Sequence, residues 1–338
     1  MIQMIPMRWP DLKNRLQSRK FLQEGVCLFM TKNISTAELS HEEWLRLRKN
    51  GIGGSDAGAI CGLNPYASPM SVYQDKTTME VEAIDNEAMR QGRDLEDYVA
   101  QRFMEATGLK VRRSNIMYRS EANPFMLADV DRLIVGKDAG LECKTASAYH
   151  MDKWKDDEIP AHYLIQCHHY MSVTGKQSWY IAVVILGCGF KYAEIPRDED
   201  LIKNLVSIEE QFWNDHVMKR IIPDPDGSEA CDEVLEQYFH TARRSSAILL
   251  TGFDDKIRRR LEIVKLMETL GEEKNQIDQQ IKLFMKDHEM AYNDKYRVTW
   301  SNVDTLHLDA KRVKAEKPEV YEAFSYRTSS RRFSIKAA

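Results

Sequence analysis

The sequence predicts an α/β sandwich, a mixed central sheet flanked by helices, with a mostly helical C-terminal extension. Three observations predict it. Between residues 86 and 219 the apolar spacing alternates between helical and strand-like, in the order helix, three strands, helix, two strands, helix. Glycine and charged turn residues separate the strand-like runs, as at Gly136-Lys137-Asp138 and Gly187-Cys188-Gly189. Beyond a Pro/Asp/Gly-rich boundary at Pro223–Gly227 the pattern becomes a charged helix with a narrow apolar stripe. The chain of 338 residues therefore divides into an N-terminal segment (1–40), an α/β domain (41–222) and a helical extension (223–338).

The elements follow in order. The apolar run Val26–Met30 reads as a short strand. Ser40 and Glu43 stand at capping-box spacing before Trp44-Leu45, so a helix starts there and stops at Asn50-Gly51. The glycine-rich turn Gly51–Gly54 leads into a second short helix with Ser55 or Asp56 as its N-cap, ended by Asn64-Pro65-Tyr66. Met89, Leu95, Val99, Phe103 and Met104 recur at helical spacing, which gives a long amphipathic helix over 86–107 with Gly108 as its stop. Three strands, Leu109–Tyr118, Phe125–Val135 and Gly140–Ala146, read as a meander. A helix over 160–173, a hairpin formed by 178–186 and 190–195, and a helix over 198–219 complete the domain. In the extension, Ile257, Leu261, Val264, Ile277, Ile281 and Phe284 mark a helix interrupted near Gly271, and 296–300 with 332–335 read as a closing strand pair.

Composition excludes several classes of function. With 43% hydrophobic and 30% charged residues the chain is neither fibrous nor disordered. The six cysteines are scattered without a C-x-x-C pair, which argues for buried reduced thiols and against a disulfide framework, a structural zinc or an iron–sulfur cluster. No apolar run has the length of a membrane span, and charges break the first twenty residues, so a cytoplasmic protein is expected. The net charge of −4 provides no global basic field, so a nucleic-acid site must be local.

Chemistry concentrates on two neighbouring strands. Residues two apart in a strand share a face, so Glu142 projects with Lys144, and Asp129 with Asp131. Acids among Leu127, Val130, Leu133 and Leu141 are costly to bury unless paired or bound to a cation. Hard oxygen ligands without His or Cys favour Mg²⁺, with Mn²⁺ as a substitute. A lysine beside the second carboxylate can orient a water or help deprotonate it, and the reaction class is phosphodiester hydrolysis.

Five separated elements carry a resemblance over about residues 44–219: the run Trp44 to Ser55 with Arg48 inside it, Gly92-Arg93-Asp94-Leu95-Glu96, Ala128-Asp129-Val130-Asp131-Arg132, Gly140-Leu141-Glu142-Cys143-Lys144-Thr145, and Tyr163-Leu164-Ile165-Gln166. In order and type they resemble the motifs of the YqaJ-like viral recombinases, the lambda-exonuclease-like alkaline nucleases of the restriction-endonuclease-like, PD-(D/E)XK superfamily. The resemblance implies a restriction-endonuclease-like core and a Mg²⁺-dependent 5′ to 3′ exonuclease acting on double-stranded DNA ends. It implies Asp131 and Glu142 as ligands of the ion, aided by the Cys143 carbonyl and with Glu96 as a further acid. Lys144 falls beside the attacking water, Gln166 orients water or substrate, and Tyr163 belongs either to the core or to the DNA side. Arg48 and Ser55 become the anchor of a terminal 5′-phosphate. Asp129 stands where many relatives carry a neutral residue, which leaves a second ligand or a local hydrogen bond open. His168 and His169 match no motif position and are read as structural. The resemblance also implies a single-strand annealing recombination protein as partner and allows a homo-oligomer. A structure-selective endonuclease and a non-catalytic DNA-end-binding scaffold are the alternatives.

Overall fold

The computed structural model describes residues 33–79, 86–243, 246–328 and 330–336, so the expected strand Val26–Met30 lies outside the described residues. Strand β1 (Asn33–Ser35) precedes helix α1 (His41–Arg48), which opens with the expected reciprocal capping box between Ser40 and Glu43. Helices α2 (Gly54–Ile60), α3 (Pro69–Thr77) and α4 (Glu87–Thr107) follow. The cap of α2 differs from expectation. Gly53 is the N-cap, and Asp56, in the third helical position, accepts from the Gly53 N–H at 2.8 Å. Helix α3 carries no long apolar period and was not expected; Ser68 and Pro69 start it. Asn86 caps α4, and Gly108 stops it with φ 71°, a left-handed conformation that side chains disfavour.

The meander is corrected. Strands β2 (Val111–Arg113), β3 (Ile116–Arg119), β4 (Leu127–Asp129), β5 (Arg132–Ile134) and β6 (Ala139–Ala146) divide between two sheets. Strand β4 pairs with β3 in a small sheet of order β1-β3-β4, whereas β5 pairs with β2 and β6 in the main sheet. The apolar run 125–135 therefore changes sheets at Val130-Asp131. A 3-10 helix (Ala148–Asp157) and helix α5 (Ala161–Thr174) then cross over to β7 (Ser178–Ile185), which pairs parallel to β6; β8 (Gly189–Pro196) returns antiparallel as the expected hairpin. The main sheet has five strands in the order β2-β5-β6-β7-β8 and is mixed, as predicted.

Helices cover both faces of that sheet. From β7, Trp179, Ile181, Val183 and Ile185 pack with Cys167 and Met171 of α5 and with Ile202 of α6 (Glu199–Phe212). The alternate residues Tyr180, Ala182 and Val184 pack with Val99 and Phe103 of α4. Such two-sided burial explains why β7 reads as one unbroken apolar run. Helix α6 runs into a π-helical turn at Trp213–Met218.

The chain forms two compact units, one ending at Phe239 and one beginning at His240. Helix α7 (Glu229–Tyr238) belongs to the first unit, where Cys231 and Val234 pack on Met70 of α3. In the second, α8 (Asp254–Met285) runs through Gly271 without the expected break. Strand β9 (Met290–Tyr292) pairs with β10 (Arg297–Thr299), so residues 332–335 are not the partner of the 296–300 segment. Short helices α9 (Ala310–Glu316) and α10 (Pro318–Phe324) follow. Among the described residues no helix is long and apolar enough to cross a membrane. Cys61, Cys143, Cys167, Cys188 and Cys231 are free thiols, but only Cys167 and Cys231 of these are buried; Cys61 and Cys143 are half-buried, and Cys188 is exposed at the β7–β8 turn.

Candidate active site

Alternation along β6 builds the site. Leu141 and Cys143 face α4, so Glu142 and Lys144 face α5, the helix that carries Tyr163 and Gln166. The β5–β6 ladder pairs Arg132 with Leu141, which sets Asp131 one step further along, beside Glu142. Asp131 Oδ2 accepts from the Cys143 main-chain N–H at 2.8 Å. Glu142, only 2% exposed, accepts at Oε1 from Gln166 Nε2 at 2.7 Å and pairs there with Lys144 Nζ at 2.6 Å. Its other oxygen, Oε2, is buried without a donor. Gln166 also donates to the Tyr170 hydroxyl at 2.9 Å. Lys144 Nζ lies 4.7 Å from the centre of the Tyr163 ring.

The electrostatics follow from this crowding. Burial, followed by the charges of Glu142 and Glu96, raises the Asp131 carboxyl well above the usual carboxylate range. Burial also raises Glu142, although Lys144 opposes the shift. Burial disfavours the Lys144 ammonium, but Glu142, Tyr163 and Asp131 outweigh it and hold the side chain protonated beyond its ordinary range. These neighbours favour the charged Lys144 ammonium, which donates to Glu142.

A cleft of about 200 Å³ is lined by Arg48, Ser55, Asp129, Asp131, Glu142 and Gln166, together with Trp44, Gly53, Gly54, Met117, Leu127 and Tyr170. The expected phosphate anchor and three of the expected catalytic residues thus share one opening. Lys144 and Tyr163 adjoin it through Glu142 and each other. Glu96, on α4, is hydrogen-bonded to Arg132, while its charge is felt by Asp131 and Glu142. Arg48 Nη2 donates to Ser55 Oγ at 3.0 Å. Asp56 lies 4.0 Å from Arg48 but is paired more closely with Lys76 at 2.7 Å, which leaves the guanidinium available.

Close packing puts Ser55 over α5. A Cβ on Gly54 would stand 2.6 Å from Tyr170 Cε1 and 3.0 Å from Gln166 Cγ, and one on Gly58 would stand 3.0 Å from His162 Cβ. Only glycine permits that approach. Sequence reasoning missed two residues of the cleft. Tyr170 was legible as the residue four after Gln166 on the same helix face. Trp44 was legible only as a motif residue; its indole donates to Asp129 Oδ2 at 2.6 Å. His169 is a core residue bridging Leu127 O (2.9 Å) and Glu209 (2.8 Å), in agreement with a structural reading.

The donor set fits a hard divalent cation, because buried Glu142 keeps one oxygen without a donor, even beside Lys144, and stands next to the half-buried Asp131 carboxylate. Among the described residues no three His, Cys, Asp or Glu side chains form a metal-binding group, so a cation here would rest on the Asp131 and Glu142 carboxylates.

Comparison with known proteins identifies the chain's relatives. The model of the YqaJ-like viral recombinase domain matches residues 43–177. The chain is 40% identical over 304 residues to the uncharacterised protein YqaJ of Bacillus subtilis (strain 168), an alignment that spans 89% of this chain and 95% of that protein. Among solved structures it is similar to an alkaline exonuclease, LHK-Exo, from Laribacter hongkongensis (TM-score 0.46, 18% identity, 60% of this chain and 100% of that one). The complex of LHK-Exo with dAMP gives a TM-score of 0.47 at 21% identity, with 58% and 97% covered. A phage-related exonuclease from Haemophilus somnus 129PT gives 0.38 at 16% identity, with 51% and 96% covered. At the identity and coverage of the Bacillus relative, the chain belongs to the YqaJ-like viral recombinase family.

Proposed function

We propose that the chain is a Mg²⁺-dependent DNA nuclease, with Mn²⁺ as a substitute ion, that hydrolyses phosphodiester bonds as a 5′ to 3′ exonuclease on double-stranded DNA ends. One observation carries the reading: Gln166 and Lys144 hold Glu142 by one carboxylate oxygen, Oε1, beside Asp131, while its other oxygen, Oε2, is buried without a donor. Asp131 and Glu142 would hold the ion with the Cys143 carbonyl, and Glu96 would add negative charge from α4. A divalent ion bound there lowers the pKa of a water and neutralises charge developing on the phosphate.

The chain's own residues do the rest. Lys144, an ammonium, orients the nucleophilic water and offsets negative charge at the reacting phosphate. Gln166 fixes the Glu142 carboxylate with its amide N–H, and its anchorage to Tyr170 limits its rotation. The Tyr163 ring lies against Lys144 and gives the ammonium an aromatic face to rest on. Arg48 and Ser55 supply a guanidinium and a hydroxyl that suit a terminal 5′-phosphate, which supports the polarity. Strands left by such resection would suit a single-strand annealing recombination protein, and a homo-oligomer would retain the enzyme on the duplex.

Linear and covalently closed circular duplexes, each with Mg²⁺ or with EDTA, test the reading. Degradation of the linear DNA alone is expected, and only with the ion. Cleavage of the circle would indicate a structure-selective endonuclease; a gel shift without cleavage would indicate an end-binding scaffold.

A further inference from the structure

Asp129 stands two residues from Asp131 and lines the same cleft, yet its Oδ2 accepts from the Trp44 indole N–H at 2.6 Å. The pairing is directional, since an indole only donates and a carboxylate only accepts. It joins helix α1 to strand β4 across 85 residues of sequence. Asp129 is the fixed end, because its backbone is paired in register with Met117 of β3.

The other face of this contact is Arg48. Its guanidinium carbon lies 4.8 Å from the centre of the Trp44 ring, within cation–π range, while Nη2 reaches Ser55. An arginine side chain is long and rotamer-rich, so its direction must be imposed. Asp56 is a weak guide, being committed to Lys76 and to the Gly53 N–H. The Trp44 ring is the surface on which the guanidinium lies, and the Asp129 carboxylate holds that ring. A carboxylate in a cleft meant for an anion is also a liability, which the indole N–H moderates.

We propose that Asp129 is a positioning residue for the terminal-phosphate anchor, acting through Trp44 on Arg48, and not a ligand of the ion. The proposal rests on the reading of Arg48 and Ser55 given above.

The test is binding of duplexes ending in 5′-phosphate or 5′-hydroxyl by the full chain carrying Lys144→Ala, which separates binding from turnover. The readout is the ratio of the two affinities. Asp129→Leu and Trp44→Phe should each lower the ratio by roughly tenfold, the scale of a lost tether with a weakened cation–π contact. The double variant should fall no further than either single one. Asp129→Asn keeps an acceptor for the indole and removes a charge, so it should retain or raise the ratio. Equal damage by Asp129→Asn and Asp129→Leu, an unaltered ratio in Trp44→Phe, or additive losses in the double variant would overturn the relay. Arg48→Ala separates the two readings: a ratio unaltered there rejects the phosphate anchor itself, whereas a ratio lost there but retained in both Asp129→Leu and Trp44→Phe rejects only the relay.

Discussion

Gln166 Nε2 donates to Glu142 Oε1 at 2.7 Å, which ties helix α5 to the central strand of the main sheet at the point where Glu142 stands beside Asp131. The bond leaves Glu142 Oε2 without a donor, so the helix orients the carboxylate without satisfying it. Replacing Gln166 with Leu should lower kcat by about tenfold to a hundredfold while leaving the fold intact, because a positioned carboxylate loses its guide. Steady-state kinetics alongside thermal melting would check it; normal kcat in a folded Gln166→Leu protein would remove Gln166 from the site.

Removing the acid should have opposite effects on activity and stability. Glu142→Gln abolishes one ligand of the proposed ion but also a buried carboxylate whose pKa is raised even beside Lys144, so that the fold favours its neutral form. Activity should fall at least about a thousandfold, and the melting temperature without metal should hold or rise. A melting temperature that drops sharply would mean that the Glu142–Lys144 pair is chiefly structural.

The pH dependence has a definite sign. Burial, then the charges of Glu142 and Glu96, raise the pKa of Asp131, so the folded chain binds this proton more tightly than the unfolded chain does. The resulting stability is fully present below the unfolded carboxylate pKa, about 3.9, and is lost as pH rises through the raised folded value. Relative to Asp131→Asn, the metal-free wild type should lose melting temperature as pH rises above the ordinary carboxylate range. Mg²⁺ should offset the loss increasingly with pH. Parallel melting curves for the two proteins over that rise in pH would contradict the assignment.

Much of this arrangement was legible in the sequence, because the chemistry sits on regular alternation. Glu142 and Lys144 share a face of β6, and the capping box at Ser40, the stop at Gly108 and the β7–β8 hairpin follow local rules. The sheet change at Val130-Asp131 was not legible: Leu127 and Leu133 are both buried, and an apolar run does not reveal which partner strand each half takes. Asp129 and Asp131 therefore do not act as one strand-face pair; one meets Trp44 and the other Cys143. Helices α3 and α7 were not legible because both are short: α3 buries Met70, Val72, Tyr73 and Lys76 without a repeating apolar stripe, and α7 buries only Ala230, Cys231 and Val234. Gly271 broke the expected helix on propensity alone, yet one glycine in a 32-residue helix costs only about 1 kcal/mol.

The approach of α2 to α5 predicts a steric effect at a distance from the acids. Gly54→Ala would drive a methyl into Tyr170 and Gln166, at a cost of about 1–3 kcal/mol in stability, and would displace Ser55 from the cleft. Both losses should be smaller when Tyr170 is also shortened to Leu. An innocuous Gly54→Ala change would show that the helices separate without consequence.

A buried pair beneath the cleft should matter for folding alone. His169 bridges Glu209 and the Leu127 carbonyl, with both side chains of the pair fully buried. His169→Ala leaves Glu209 without its partner and should cost about 3–5 kcal/mol in urea denaturation. A loss below about 1 kcal/mol would mean that the core adjusts around it.

The central claim is most directly tested with linear duplex DNA labelled at either its 5′ or its 3′ ends, incubated with Mg²⁺ or EDTA, for wild type and Lys144→Ala. The account predicts early release of the 5′ label as mononucleotide, only with Mg²⁺ and only by the wild type. Intact DNA under all conditions, or equal release by Lys144→Ala, would contradict it.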